Sequence, residues 1–186
     1  MRRKIALVFF ALVALIVRAQ FNVDRLMTSG QIALHYEDYV LSMQYFNQII
    51  SLKPYLYQPW QYRAIAKYYL DDYVGAEEDA GEAISLNPYI EDIYDLRAIS
   101  RIRQNKYQEA ITDYNRAIKL NPSNRNYWYN RAACRMNGKD YAGAHRDIDT
   151  IVTRWANYAN AYTLNAEIYL HEKDTLKAAD WLDKGL

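Results

Sequence analysis

Three histidines, a lone cysteine and a recurring set of arginines and aspartates are the side chains of this 186-residue chain whose types could do chemistry. His35, His145 and His171 lie far apart, in no helical spacing that would bring two imidazoles to one metal and beside no candidate nucleophile. Cys134 follows Ala132 and Ala133, an apolar setting in which a small buried thiol is expected and not a reactive one. A single cysteine also excludes an intramolecular disulfide and a cysteine-cluster metal site. Gly75 and Gly81 fall inside helix-forming sequence and make no phosphate-cradling loop. Glu77-Glu78 and Asp71-Asp72 read as solvated carboxylates. The expectation is a chain that is not an enzyme, with no catalytic residue, no metal and no cofactor.

The arginines and aspartates are better ordered. Arg63, Arg97 and Arg131 recur every 34 residues, and so do Asp79, Asp113 and Asp147. One period earlier the two places hold Ser29 and Tyr45, and one period later Asn165 and Trp181, so the two charges come and go together. This predicts a structural Arg to Asp pair in each of three consecutive units, with bidentate geometry fixing their register. The competing reading is charges on solvated faces, worth about 0 to 1 kcal/mol each.

The elements that must position them follow from the same period. Pro54, Pro88 and Pro122 each close an Ile-x-Leu-x-Pro run, and Tyr39, Tyr73, Tyr107 and Tyr141 form another column, as do Ala76, Ala110, Ala144 and Ala178, with Ser42 in the first place. Five units fit: 23–56, 57–90, 91–124, 125–158 and an incomplete 159–186. No period-2 alternation is sustained, so each unit reads as two amphipathic helices of about 14 residues. The proline ends the second helix, because it cannot continue one and biases its predecessor away from helical angles.

These columns resemble the tetratricopeptide repeat (TPR) family over essentially all of 23–186. A large aromatic at position 4 is matched by Trp60, Tyr94, Trp128 and Tyr162, and the small residue at position 8 by Gly30, Ala64, Ala98, Ala132 and Ala166. Departures are Ala156 for the proline, Thr175 for the tyrosine and Gly185 in the small apolar column. The resemblance implies an all-α fold, a right-handed superhelical solenoid of antiparallel helix pairs. It also accounts for many of the 19 tyrosines as packing wedges.

In that family the first helix of each unit lines a concave surface. Carried onto this chain, the resemblance implies a partner-binding groove formed by Gln61, Ile65, Tyr68, Tyr69, Asp95, Ile99, Ile102, Arg103, Tyr129 and Met136, with Asp92, Asn126 and Asn137 beside them. Such a face, apolar and aromatic with amides, suits a peptide or protein partner with apolar anchors. The alternative is that Ile65, Ile99 and Tyr68 pack between neighbouring units. The carboxylate clamp of chaperone-binding members is not matched: only Asn130 fits its pattern, and an anionic C-terminus would meet Asp92 and Asp95.

Outside residues 1–18 the chain carries 19 Lys and Arg against 22 Asp and Glu, a balance that excludes the basic footprint of a nucleic-acid binder. Residues 1–19 read as a secretory signal. Arg2, Arg3 and Lys4 precede 13 apolar residues, Ile5 to Val17, and Ala19 offers a cleavage site before Gln20. Thirteen residues rise only about 20 Å as a helix, short of the roughly 30 Å of a bilayer core, so cleavage is expected over anchoring. A new N-terminal glutamine resembles exported proteins of Bacteroidota, which places the expected working site in a periplasm or cell envelope. Two rival roles are an input region for a working domain beyond residue 186, and a structural subunit that self-associates through an uncapped C-terminal repeat.

Overall fold

The computed structural model describes residues 22–185; the expected signal, 1–19, lies outside them. Helix α1 covers 22–35. It is followed by α2 (Tyr39–Leu52), α3 (Tyr57–Tyr69), α4 (Tyr73–Leu86), α5 (Glu91–Arg103), α6 (Tyr107–Leu120), α7 (Arg125–Asn137), α8 (Tyr141–Arg154), α9 (Ala159–His171) and α10 (Thr175–Lys184). There is no strand among the described residues. From α2 onward, each helix begins 34 residues after its counterpart in the preceding unit.

Each hairpin turn is built the same way. One residue takes the left-handed conformation, Glu37, Asp71, Asn105, Lys139 or Lys173, with φ between 59° and 66°. The next residue's N–H then bonds the carbonyl five positions back, as in Asp38 to Ala33 at 2.9 Å and Asp140 to Arg135 at 2.8 Å. That is the six-to-one bond of a Schellman cap, which satisfies a carbonyl the helix end would orphan. The same residue starts the second helix: Asp38, Asp72, Asp140 and Asp174 each accept from a backbone N–H three positions on. Lys106 stands in that place in the third unit and makes no such bond. At the other end, Lys53, Asn87 and Asn121 leave the helix at extended φ before proline, and Trp155 does so at φ −139° before Ala156. The chain therefore takes the same exit with or without the ring.

Adjacent helices pack consecutively along the chain. In addition, first helices touch across units, α3 on α5 and α7 on α9, while no comparable contact joins one second helix to the next. An array whose first helices are the closer set curves toward them, which gives a superhelical solenoid with first helices on its inner side. The small residues sit where helices cross: Ala64, Ala98, Ala110, Ala132 and Ala144 are all fully buried. Gly30 is the glycine of this column because Phe46 fills the space; a Cβ there would come within 2.7 Å of the ring. The core is a series of clusters along the array, around Phe46 and Ile49, around Ile93, around Tyr114 and around Ile148 and Ile168, with half-buried Ile84 and Trp128 bridging the last three.

Candidate functional site

The arginines and aspartates meet inside each middle unit. Arg63 binds Asp79 through Nε and Nη2 at 2.7 Å each, and Arg131 binds Asp147 at 2.9 and 2.6 Å. Arg97 holds Asp113 through Nη2 at 2.6 Å and Nε at 3.1 Å. Each carboxylate is almost fully buried and takes a second cation from one turn further along the first helix: Lys67 at 3.0 Å, Arg101 at 2.7 Å and Arg135 at 2.7 Å. The guanidinium also lies over the position-4 ring, Arg63 over Trp60 at 4.8 Å and Arg131 over Trp128 at 4.9 Å. These rings in turn donate to the loop carbonyl six residues back, Trp60 to Pro54, Tyr94 to Pro88, Trp128 to Pro122 and Tyr162 to Ala156. Ring, arginine and aspartate thus form one register lock per unit.

Sequence reasoning missed the second cation, although Lys67, Arg101 and Arg135 share the 34-residue column and the i, i+4 spacing that puts them on Arg63's face. It also misjudged Glu77. This carboxylate is half-buried between units two and three, where Arg101 Nε, Lys106 Nζ and Gln104 Nε2 reach it at 2.9, 2.8 and 2.9 Å. Burial alone would raise its pKa, but these hydrogen bonds outweigh burial and hold it below the usual carboxylate range. Asp72 is likewise a helix cap and not simply a solvated acid.

The groove candidates divide by exposure. Tyr69 is 59% exposed and stacks on Tyr39 at 5.1 Å with ring planes 7° apart. Tyr68 meets Tyr69 and Tyr73 edge-on, and Arg103 lies over Tyr68 and Tyr73 while donating from Nε to the Tyr68 hydroxyl at 3.2 Å. Further along, Tyr129 packs edge-on to Tyr158, whose ring also carries Arg125 at 4.5 Å. Gln61 and Ile65 are half-buried, Ile65 and Ile99 packing against one core cluster and Ile102 against the next. Met136 does not belong to the groove. It is 8% exposed, in the buried cluster of Ala144, Ile148 and Ile168, because the fifth unit closes over it.

Asp95 is the acidic member of this face. Burial, and the neighbouring charge of Asp92, hold its carboxyl above the usual range against hydrogen bonding from Tyr114 and Asn130. Asp92 accepts from the Tyr127 hydroxyl at 2.7 Å. Cys134 is 1% exposed and burial pushes its thiol up to about 12, so it is a protonated core residue at neutral pH. The histidines are scattered: His171 stacks on Tyr141, His35 meets Tyr36, and His145 bridges Asn165 and Glu172. Among the described residues no three His, Cys, Asp or Glu side chains are grouped to hold a metal.

A sequence model of the TPR repeat matches residues 100–136. Among curated proteins no match is found. Solved structures resemble the chain throughout. A MamA protein superposes with a TM-score of 0.83 at 14% identity, covering 89% of this chain and 90% of that one. The MamA of Desulfovibrio magneticus RS-1 gives 0.82 at 13% identity, with 88% and 93% covered. YrrB, described as a TPR protein with an unusual peptide-binding site, gives 0.77 at 13% identity, with 86% and 82% covered. At these identities the likeness is one of fold, and the fold of this chain is the TPR solenoid.

Proposed function

We propose that the chain is a non-catalytic interaction scaffold that binds peptide segments or partner proteins on its concave face, in a bacterial periplasm or cell envelope after loss of residues 1–19. The observation that carries it is a pair of aromatic clusters at the first helices, Tyr68 with Arg103 beside a largely exposed Tyr69, and Tyr129 with Tyr158, which precedes α9. Rigid aromatic rings and arginine bury contact area at small entropic cost, which is the composition of surfaces that carry binding energy. The peptide-binding site of the similarly folded YrrB supports the same use of this architecture. The test is capture of partners from envelope extract by the native protein and by a folded Tyr69→Ala, Tyr129→Ala double variant. Retention of every partner by the variant, or loss on the outer-face change Glu109→Lys instead, would refute the groove. N-terminal sequencing of the mature protein checks export, and an intact Met1 in a membrane fraction would sink it.

A second reading is self-association through α10, where Leu176 is 83% exposed and Leu182 48%. Sedimentation of the native protein against Leu176→Glu decides it: a native monomer at all concentrations removes this reading.

A further inference from the structure

Each joint between units brings the same two columns together. On the second helix the column is Phe46, Ala80, Tyr114 and Ile148, all 0% exposed. On the next first helix it is Ala66, Ser100, Cys134 and Ile168, none more than 1% exposed. Phe46 stacks on Tyr62 one turn before Ala66, Tyr114 shares a cluster with Cys134, and Ile148 shares one with Leu164 and Ile168. One period further on, the first column reaches Leu182, which is 48% exposed; one period back, the second reaches Ile32, which is 53% exposed. Leu182 and Ile32 are thus the two halves of a joint that the chain closes four times.

The two open faces match in chemistry as well as in place. Ser29, Ile32, Ala33, Tyr36, Leu41 and Tyr45 line a cleft of about 290 Å³ on α1 and α2. Ser29 and Tyr45 stand where the middle units carry the arginine and aspartate of the lock, so its walls are apolar where those units are ionic. On α10 the place of Glu77, Ile111 and His145 is taken by exposed Ala179, beside Leu182 and likewise uncharged. Asp183 stands in the column of Asn47 and Asn115, which accept from Arg63 and Arg131 of the following first helix. In the first unit the place of those arginines is Ser29, a hydroxyl donor, with Arg25 one turn before it. Arg25 and Asp183 are both exposed, and neither forms an ion pair among the described residues. An acceptor column that ends in a free carboxylate would therefore meet a hydroxyl and a free cation.

We propose that α10 of one copy packs on α1 and α2 of a second copy, as a fifth joint in the register of the four within the chain. This rests on the self-association reading above and supplies the surface that α10 meets; it is independent of what the concave face binds. Because the two faces differ, the contact is heterologous, and each added copy presents a fresh end on which the solenoid lengthens.

The experiment is sedimentation of the purified protein over a wide concentration range, beside Ile32→Glu and Leu182→Glu, each alone and the two mixed, with thermal melting to show that both variants fold. The expected result is native species that grow past the dimer with concentration, two monomeric variants, and an equimolar mixture that stops at a dimer, since each variant keeps the face that the other has lost. A mixture that stays monomeric overturns the joint. An Ile32→Glu chain that still associates while Leu182→Glu does not pairs α10 with α10, which overturns the joint and leaves self-association through α10 standing. A native monomer at every concentration overturns both, and gives the two faces to residues 1–19 or to another protein. If either variant fails to fold, charge reversal at exposed positions decides: Arg25→Asp and Asp183→Arg should each weaken association about fivefold and restore it when combined in one chain. No recovery in the combined variant overturns the register.

Discussion

Gly81 faces Arg97 across the seam between units, and a Cβ built on it would lie 3.9 Å from Nη1 of the guanidinium. The corresponding arginines are better served. Asn47 accepts from Nη1 of Arg63 at 2.6 Å, and Asn115 from Nη1 of Arg131 at the same distance. Gly81→Asn should therefore supply the missing amide and remove a glycine from a helix interior, raising stability by about 1 kcal/mol. Thermal melting checks this; an unchanged or lower melting temperature would show that the amide does not reach.

The register lock makes a quantitative prediction at Asp113. Replacing it with Ala leaves Arg97 and Arg101 without their shared carboxylate and should cost about 3 kcal/mol. In the double-mutant cycle with Arg97→Ala, part of that loss should be recovered, because one unpaired charge goes as well. A coupling of zero by denaturant unfolding would return these residues to the status of solvated charges.

The left-handed turns store strain unevenly. Asn and Asp tolerate that conformation, and Asn105 and Asp71 also accept from the hydroxyls of Tyr107 and Tyr73. Lys139 is exposed, has φ 64°, and gains neither benefit. Lys139→Gly should stabilise the protein by about 1 kcal/mol, whereas Asn105→Gly should be neutral or harmful. The reverse order in melting experiments would refute the account.

Asp95 and Glu77 should give pH dependences of opposite sign. A carboxyl raised in the folded chain binds its proton more tightly folded than unfolded, so stability falls as pH rises from the unfolded value, about 3.9 for Asp, through the folded one. Asp95→Asn should accordingly melt higher than the native protein at pH 7, with the gap closing as pH falls toward the unfolded value. Glu77 is depressed, so its contribution is present above the unfolded value and is lost as pH falls through the folded one. Glu77→Gln should melt lower at pH 7. Native-like melting of both variants at pH 7 would contradict the assignment.

Much of this was legible without coordinates because repetition multiplies weak signals. Columns at Pro54, Pro88 and Pro122, and at Tyr39, Tyr73 and Tyr107, place helix ends to within a residue or two, since each copy constrains the others. Arg63 and Asp79 were likewise visible through their shared appearance and disappearance. What repetition hides is the particular. Asp95 occurs once, and its burial depends on Tyr114 and Asn130 from two other helices, so no local pattern announces it. Met136 looked available for the same reason: position 12 faces inward on a lone unit, but how far the next unit covers it is a property of the stack.

The place occupied by Glu77 recurs as Ile111 and His145 in the next two units. Its occupants give successive joints different chemistry. Glu77 makes an ionic joint with Arg101 and Lys106, Ile111 an apolar one within the cluster of Tyr127 and Cys134, and His145 a polar one with Asn165 and Glu172. Salt screens the first and leaves the second untouched, while cooling weakens the second. Because a repeat array unfolds by losing nearest-neighbour contacts, its cooperativity need not break at the same point under every condition. The solvent selects which joint yields, and so which stretch of the superhelix is free to flex.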